Sequence, residues 1–414
     1  MNRITSLQSF DSGIERLQQR QRELTQAQER LTSGKRVTRA SDDPAAAARA
    51  ERALAQIARQ DANLRAVDAA RGTLMLTEST LADAGELLQQ ARETLVAAGN
   101  GAYSDAERAS LAERLSALRS QLLAVANRGD GTGGYLFAGQ GASQPPFVDG
   151  SGGVSFRGTT GEAMAALDEP VPQGTDGRSA WLGAASGNGL FETRVASAQP
   201  DQAGAWIDGG RVTDPQTFFA ATSPPVVADP ANLDYRIAFT LGAGGTTFTV
   251  TKDGVPTALA NQPFTAGRAV EIDGMAFTIA GTPAAGDAFE LRLSGPTQSV
   301  FATLDRAITE LRTPLRSGAA IAQGVQQALV GLDGSMGALQ SLRARVGETL
   351  GRIDLVEGRI GASRLAAEDE KSKAEDLDMV EAISSFQNQQ TGYDAALKAY
   401  ASVQRLSLFE YLNL

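Results

Sequence analysis

ASVQRLSLFEYLNL, residues 401–414, carries Val403, Leu406, Leu408, Phe409, Tyr411, Leu412 and Leu414. Each large apolar side chain gains roughly 1.5–3 kcal/mol on leaving water, so a stretch like this demands a cover. The residues before it point to a helix. Val380, Ile383, Phe386, Tyr393, Leu397, Tyr400, Val403 and Leu406 recur close to a 3.5-residue period, which describes a narrow seam shaped for a partner helix. The other end of the chain repeats the pattern: Ile4, Leu7, Ile14, Leu17, Leu24 and Leu31 step by threes and sevens. The two ends are therefore expected to pair as a coiled-coil stalk. The seam residues from Ile4 to Leu31 and from Ile383 to Leu406, together with Leu408, Phe409, Tyr411 and Leu412, form the candidate assembly and partner interface.

Charge favours the same pairing. Residues 1–40 hold eight bases (Arg3, Arg16, Arg20, Arg22, Arg30, Lys35, Arg36, Arg39) against four acids (Asp11, Glu15, Glu23, Glu29). Residues 365–414 hold four bases (Lys371, Lys373, Lys398, Arg405) against nine acids (Glu368, Asp369, Glu370, Glu375, Asp376, Asp378, Glu381, Asp394, Glu410). Opposite charge flanking two apolar seams promotes their association and makes it sensitive to salt. Two helices alone still leave apolar surface outside, which neighbouring molecules would cover; the alternative is a closed bundle in which the tail docks on its own domain.

Between the ends the pattern changes twice. The first seam stops at Thr32-Ser33-Gly34, where Gly34 suits the left-handed residue after a helix, and the basic linker KRVTRA follows. SDDP at 41–44 restarts a helix, with Asp43 as N-cap and Pro44 at the first helical position. From there Val67, Leu74, Leu81, Leu88 and Leu95 fall on a strict seven-residue repeat up to Ala98, a helix of roughly 80 Å at ~1.5 Å per residue. Gly99-Asn100-Gly101 closes it, SDAE at 104–107 matches a capping box, and Leu111, Leu115, Leu118, Leu122 and Val125 continue as the second arm of a helical hairpin.

Residues 141 to about 300 read instead as short strands between Gly, Pro, Asp and Thr: YRIAFTL (235–241), TTFTV (246–250) and AFELRL (288–293). VEIDGMAFTI, 270–279, is expected to be a hairpin turning on Asp-Gly. Helical spacing resumes with Phe301, Leu304, Ile308, Leu311 and Leu315, then with Val325, Leu329, Leu332, Leu339, Val346, Leu350, Ile353 and Val356. The fold class is mainly α with an inserted β-rich domain at the distal tip of a helical stalk. Its expected domains are 1–40 plus 371–414 (axial), 41–140 plus 297–370 (helical rod) and 141–296 (β-rich insert).

Composition narrows the chemistry. Among 414 residues there is no Cys and no His, which removes thiol nucleophiles, imidazole acid–base chemistry, disulfides, and the N and S ligands of zinc and copper. The net charge of -10 disfavours nucleic acid as a partner, and no run reaches the ~20 apolar residues of a membrane helix. The N-terminal MNRITSLQSFDSGIERLQQR lacks the apolar core of a cleaved signal peptide. GDGTGG at 129–134 satisfies a dinucleotide-binding spacing but follows a helix where that motif needs a strand, so it reads as a turn. Asp42 and Asp43 stand where a cap belongs, and Glu368-Asp369-Glu370 reads as a solvated face. No calcium loop or nucleophile elbow is present. No catalytic, cofactor-binding or metal residues are expected.

Several segments resemble a known family. ERLTSGKRVTRASDDPAAAARA, 29–50, resembles the N-terminal signature of the flagellin superfamily. Within it, GGYLFAGQ (133–140), GDAFELRLSGPTQSVFATLDRAITEL (286–311) and the terminal SLFEYL are similar to the hook–filament junction family, and GNGLFETRV (187–195) is a shorter echo inside the insert. The resemblance covers about 1–140 and 286–414. It implies a structural adaptor between hook and filament that assembles with itself as a ring or layer of a helical lattice. The partners it implies are a neighbouring hook-associated protein, flagellin, and an export chaperone on the C-terminal helix. It also implies export in an unfolded state through the flagellar type III apparatus, without a cleaved signal, to an extracellular position. A minor flagellin is the nearest alternative. A carbohydrate-binding or hydrolytic module on a stalk is another, but its aromatic candidates Trp181, Trp206 and Tyr235 are far apart and the carboxylates Asp168 and Glu169 are sequence neighbours.

Overall fold

The computed structural model describes residues 6–165, 169–197, 199–223 and 234–412, and the backbone alone for 6–10 and 403–412. The chain forms two compact units, Met1–Arg65 with Leu355–Leu414, and Ala66–Asp354.

Three long helices set the frame: α1 (Ser6–Ser33), α2 (Pro44–Ala98) and, after the insert, α7 (Gly318–Glu375), with α8 (Met379–Leu412) following it. On α2 the seven-residue stripe is longer than its leucines suggest. Ala46, Ala53, Gln60, Val67, Leu74, Leu81, Leu88 and Leu95 are all buried, and α7 matches it with Val325, Leu332, Leu339, Val346, Ile353, Ile360, Ala367 and Ala374. A repeat of seven rather than 7.2 keeps one line of side chains inward over many turns. Charged flanks hold the two helices antiparallel within each unit: Arg71–Asp354 at 2.7 Å and Arg92–Asp333 at 3.0 Å in the larger, Asp61–Arg364 at 3.1 Å in the smaller.

In the larger unit, α3 (Asp105–Ala126) begins with a complete capping box between Ser104 and Glu107. It packs closely on α6 (Val300–Arg312), and just past its end Arg128 reaches back to Asp83 of α2 at 2.6 Å, as the two arms of a hairpin require. Leu315 also departs from expectation. Helix α6 ends at Arg312, ahead of Pro314, and Leu315 sits at φ 58° with 81% of its surface exposed. Proline disfavours helix in the residue before it, so the apolar spacing at 315 carries no helical meaning.

The insert is built of antiparallel strands. β1 (Phe147–Gly150) pairs with β2 (Gly153–Phe156). A second sheet has the order β10 (Ala269–Ile272), β11 (Met275–Gly281), β4 (Ala205–Ile207), with β5 (Arg211–Val212) also on β11. The largest runs β3 (Phe191–Val195), β12 (Ala288–Leu293), β6 (Asp234–Gly242), β7 (Gly245–Lys252), β8 (Val255–Pro256), with β9 (Gln262–Pro263) against β7. Alternation along β6 puts Tyr235, Ile237 and Phe239 inward, where they join Phe191, Phe277, Phe289 and Leu291 in one core. The Asp-Gly turn forms as read: Ile272 faces Met275, and Asp273 and Gly274 both have positive φ, 48° and 76°, the conformation a two-residue hairpin of this twist requires. Short helices α4 (Arg178–Leu182) and α5 (Pro215–Thr222) complete the insert.

The root of the insert is an aromatic cluster. Trp181, fully buried, lies 5.6 Å from Phe137 edge-on and 6.0 Å from Phe301 in a stack, with Phe147 at 6.1 Å. Arg119 joins β1 to α6 through Asp149 at 2.5 Å and Asp305 at 2.6 Å, both contacts holding its guanidinium charged. The segment 133–140 runs through this root, and Gly139 is obligatory there because a Cβ would fall 1.9 Å from the Thr159 carbonyl oxygen.

Candidate assembly surface

The smaller unit holds the expected interface. α1 and α8 lie side by side and antiparallel: the Tyr400 ring stands 3.6 Å from where a Cβ on Gly13 would be, and Arg20 reaches over Gly392. Of the seam residues whose side chains are described, Leu17, Leu24 and Leu31 on α1 and Phe386, Tyr393 and Tyr400 on α8 are half-buried. Ile14 is 39% exposed, Ile383 44% and Leu397 42%. Leu7, Val403, Leu406, Leu408, Phe409, Tyr411 and Leu412 lie on helical backbone, with side chains outside the description; Ile4 and Leu414 fall outside the described residues. The contrast with α2 is physical, since Val67, Leu74, Leu81, Leu88 and Leu95 are each at most 3% exposed. One stripe is closed and the other half open.

A joint fixes where the paired helices begin. At the end of α1, Gly34 takes φ 69° and its N–H donates to the Arg30 carbonyl at 2.9 Å. The next residues are extended and stitch to the break between α7 and α8. The Arg36 N–H donates to the Glu375 carbonyl at 2.7 Å, and the Leu377 N–H donates to the Gly34 carbonyl at 3.0 Å. Lys35 Nζ meets Glu375 Oε2 at 3.0 Å. The Arg36 guanidinium bridges the Asp43 carboxylate at 3.2 Å and the Ala374 carbonyl at 2.9 Å, while Val37 is buried beneath.

Capping closes the joint on both sides. Asp42 Oδ2 accepts from the Thr38 hydroxyl at 2.9 Å and from the Arg39 N–H at 3.0 Å, and these contacts hold its carboxyl below the usual range. Asp43 Oδ1 accepts from the Ala46 N–H at 3.0 Å; that bond, then Arg36, lowers its pKa in the same way. Pro44 opens α2. Asp378 caps α8, accepting from the Val380 and Glu381 amides at 3.0 and 3.2 Å. Sequence reading missed this second cap, although Asp378 followed by Glu381 is the spacing of a helix start; it also passed over Lys35, Arg36 and Glu375 as partners.

Among the described residues, the other candidate groups stand apart from one another. Trp181 and Tyr235 are buried in separate clusters and Trp206 is half-buried on β4, so these aromatics form no common platform. Asp168 lies outside the described residues. Asp130 turns GDGTGG by accepting from the Thr132 and Gly134 amides at 2.7 and 2.9 Å. Among the described residues no cluster of carboxylates is arranged to hold a metal ion, and no helix is long and apolar enough to cross a membrane.

Comparison with known proteins identifies the family. Residues 6–142 match the bacterial flagellin N-terminal helical region. The flagellar hook-associated protein 3 of Salmonella typhimurium is 32% identical over 225 residues, 54% of this chain and 68% of that one. Its counterpart in Escherichia coli is 27% identical over 388 residues, 92% and 90%. The crystal structure of the flagellar junction protein FlgL from Legionella pneumophila superposes with a TM-score of 0.61 at 27% identity, covering 70% of this chain and 93% of that one. The chain belongs to the flagellar hook-associated protein 3 family, within the flagellin superfamily.

Proposed function

We propose that this protein joins hook to filament as a structural adaptor, and that the open seams of α1 and α8 are its working surface. The observation that carries the reading is the half-open state of Leu17, Leu24, Phe386 and Tyr393 on two long paired helices. Apolar side chains left partly in water at regular intervals are a surface awaiting further helices. In a layer, each copy's α1–α8 pair supplies the missing neighbours of the next, a heterologous contact that propagates round an axis.

The working division is an axial part (1–40 with 371–414), a helical rod (41–140 with 297–370) and an outer β domain (141–296) at the far tip. The mechanism is geometric, with no catalytic step. The expected partners are further copies, a neighbouring hook-associated protein and flagellin. Before assembly a chaperone on the C-terminal helix would shield the same apolar residues during unfolded export through the flagellar type III apparatus. The finished protein would then lie outside the cell, at the hook–filament junction.

The test is to titrate isolated hooks with purified full-length protein and with a version lacking residues 401–414, following bound mass. A finite layer that saturates, and is lost in the truncated form, is the expected result. Unlimited growth would mean a filament subunit, and absence of binding would overturn the reading.

A further inference from the structure

We propose that an arginine-lined cleft beside α1 receives the acidic α7–α8 junction of a second copy of this chain. The proposal rests on the assembly reading above and names one of its contacts. The cleft, about 470 Å³, lies between the polar face of α1 and the loop carrying Thr38, Arg39 and Asp42, with Arg22, Glu29 and Arg30 on the helix side. The joint already uses Lys35 on Glu375 and Arg36 on Asp43. Arg22, Arg30 and Arg39 make no ion pair among the described residues. Asp42, which shares the cleft, has its carboxylate occupied by Thr38 and the Arg39 amide. Arginines grouped round a cleft in this way suit carboxylates, which a guanidinium can grip with two parallel hydrogen bonds.

The complementary charge is on the same molecule. Residues 368–381 hold seven carboxylates against Lys371 and Lys373. Within one copy Glu368 pairs with Arg364, Asp369 with Lys373, and Glu375 with Lys35 and Lys371. Glu370 and Glu381 are exposed and have no ion pair among the described residues. Asp378 and Glu381 line a second cleft of about 380 Å³, beside α1, together with Glu23, Arg30 and Arg36. Arg22 and Arg39 line the first cleft and Glu381 the second, so these bases and this acid, none of them in an ion pair among the described residues, face different clefts of one unit. A twofold contact would make the acid–base pairing twice and stop, whereas a head-to-tail contact sets the acids of one copy in the basic cleft of the next and propagates.

The experiment uses full-length protein assembled on isolated hooks. Arg22→Glu with Arg39→Glu, and separately Glu370→Arg with Glu381→Arg, are each expected to raise the half-saturating concentration at least tenfold with unchanged thermal melting. All four changes in one chain should recover most of the loss. The chain has no cysteine, so Arg39→Cys with Glu381→Cys, treated with a short bis-maleimide, should give linked multimers on hooks and none in free protein. Layers that form normally with the reversed pairs, or a loss that the combined chain does not recover, with no cross-links in either case, would overturn the proposal while leaving the assembly reading intact. Wild-type protein that forms no layer would overturn both.

Discussion

Replacing Gly34 by alanine is expected to loosen the joint by about 1 kcal/mol, and the structure lets the causes be separated. A Cβ at this position meets nothing within 4 Å, so no clash contributes. What remains is the backbone, held at φ 69°. An L-residue with a Cβ costs about 1–2 kcal/mol there, offset by about 0.4–1 kcal/mol because alanine has less unfolded-state freedom to lose. At stake are the bonds Gly34 makes with Arg30 and Leu377 and the adjoining bond from Arg36 to Glu375. Amide hydrogen exchange at Arg36 and Leu377 reads the opening directly, and about 1 kcal/mol corresponds to an increase of roughly fivefold. Gly34→Asn is the discriminating control, since asparagine tolerates the left-handed region and should recover most of the protection. Unchanged exchange in the alanine variant, or an asparagine variant as impaired as alanine, would refute the argument that this conformation holds the joint.

Gly347 and Gly351 on α7 are exposed and a Cβ on either meets nothing within 4 Å, so each change to alanine should raise monomer stability by about 0.5–1 kcal/mol in urea unfolding. Leu88→Ala empties a fully buried stripe position and should cost about 2–5 kcal/mol in the same assay. Trp206→Phe leaves Trp181, which is fully buried, as the lone tryptophan; its emission should be blue-shifted and resistant to acrylamide until the aromatic root unfolds. Asp42 and Asp43 have folded pKa values below the ordinary 3.8, so their contribution is complete above that value and is lost as pH falls through the folded values. Carboxyl carbon NMR titration should therefore place both midpoints below 3.8, and midpoints at or above it would contradict the hydrogen-bonded caps.

Much of the architecture was legible because it is written in local rules. The capping box at Ser104, the Asp273-Gly274 turn and the inward alternation along β6 each depend on a few neighbouring residues and a fixed backbone geometry. Leu315 misled because its spacing suits a helix while Pro314 forbids one; the proline is the stronger signal. The α3–α6 pair was illegible for a different reason. Its members are separated by the whole insert, and a helical stripe states which face is apolar without naming the face opposite. The joint was half legible: Gly34, Asp43 and Pro44 announce themselves locally, but Lys35 and Arg36 acquire their roles only when residues 374–377 are brought beside them.

The same limit bears on the proposed function, which rests on a comparison of two stripes rather than on either alone. Leu81 and Leu24 belong to similar repeats of similar residues, yet one is buried and the other half-open. A helix pair whose seam is closed has stable free molecules and nothing left to offer a neighbour. A pair whose seam is open can gain roughly 25 cal/mol for each Å² covered by the next copy, at the cost of being adhesive before assembly. The joint at residues 34–43 and 374–378 reconciles the two demands. It registers α1 against α8 by backbone bonds and caps, which need no apolar burial, and so leaves the seam's apolar area unspent within the molecule. A terminal pair stabilised instead by a fully packed interior would make a sturdier monomer and a poorer lattice subunit.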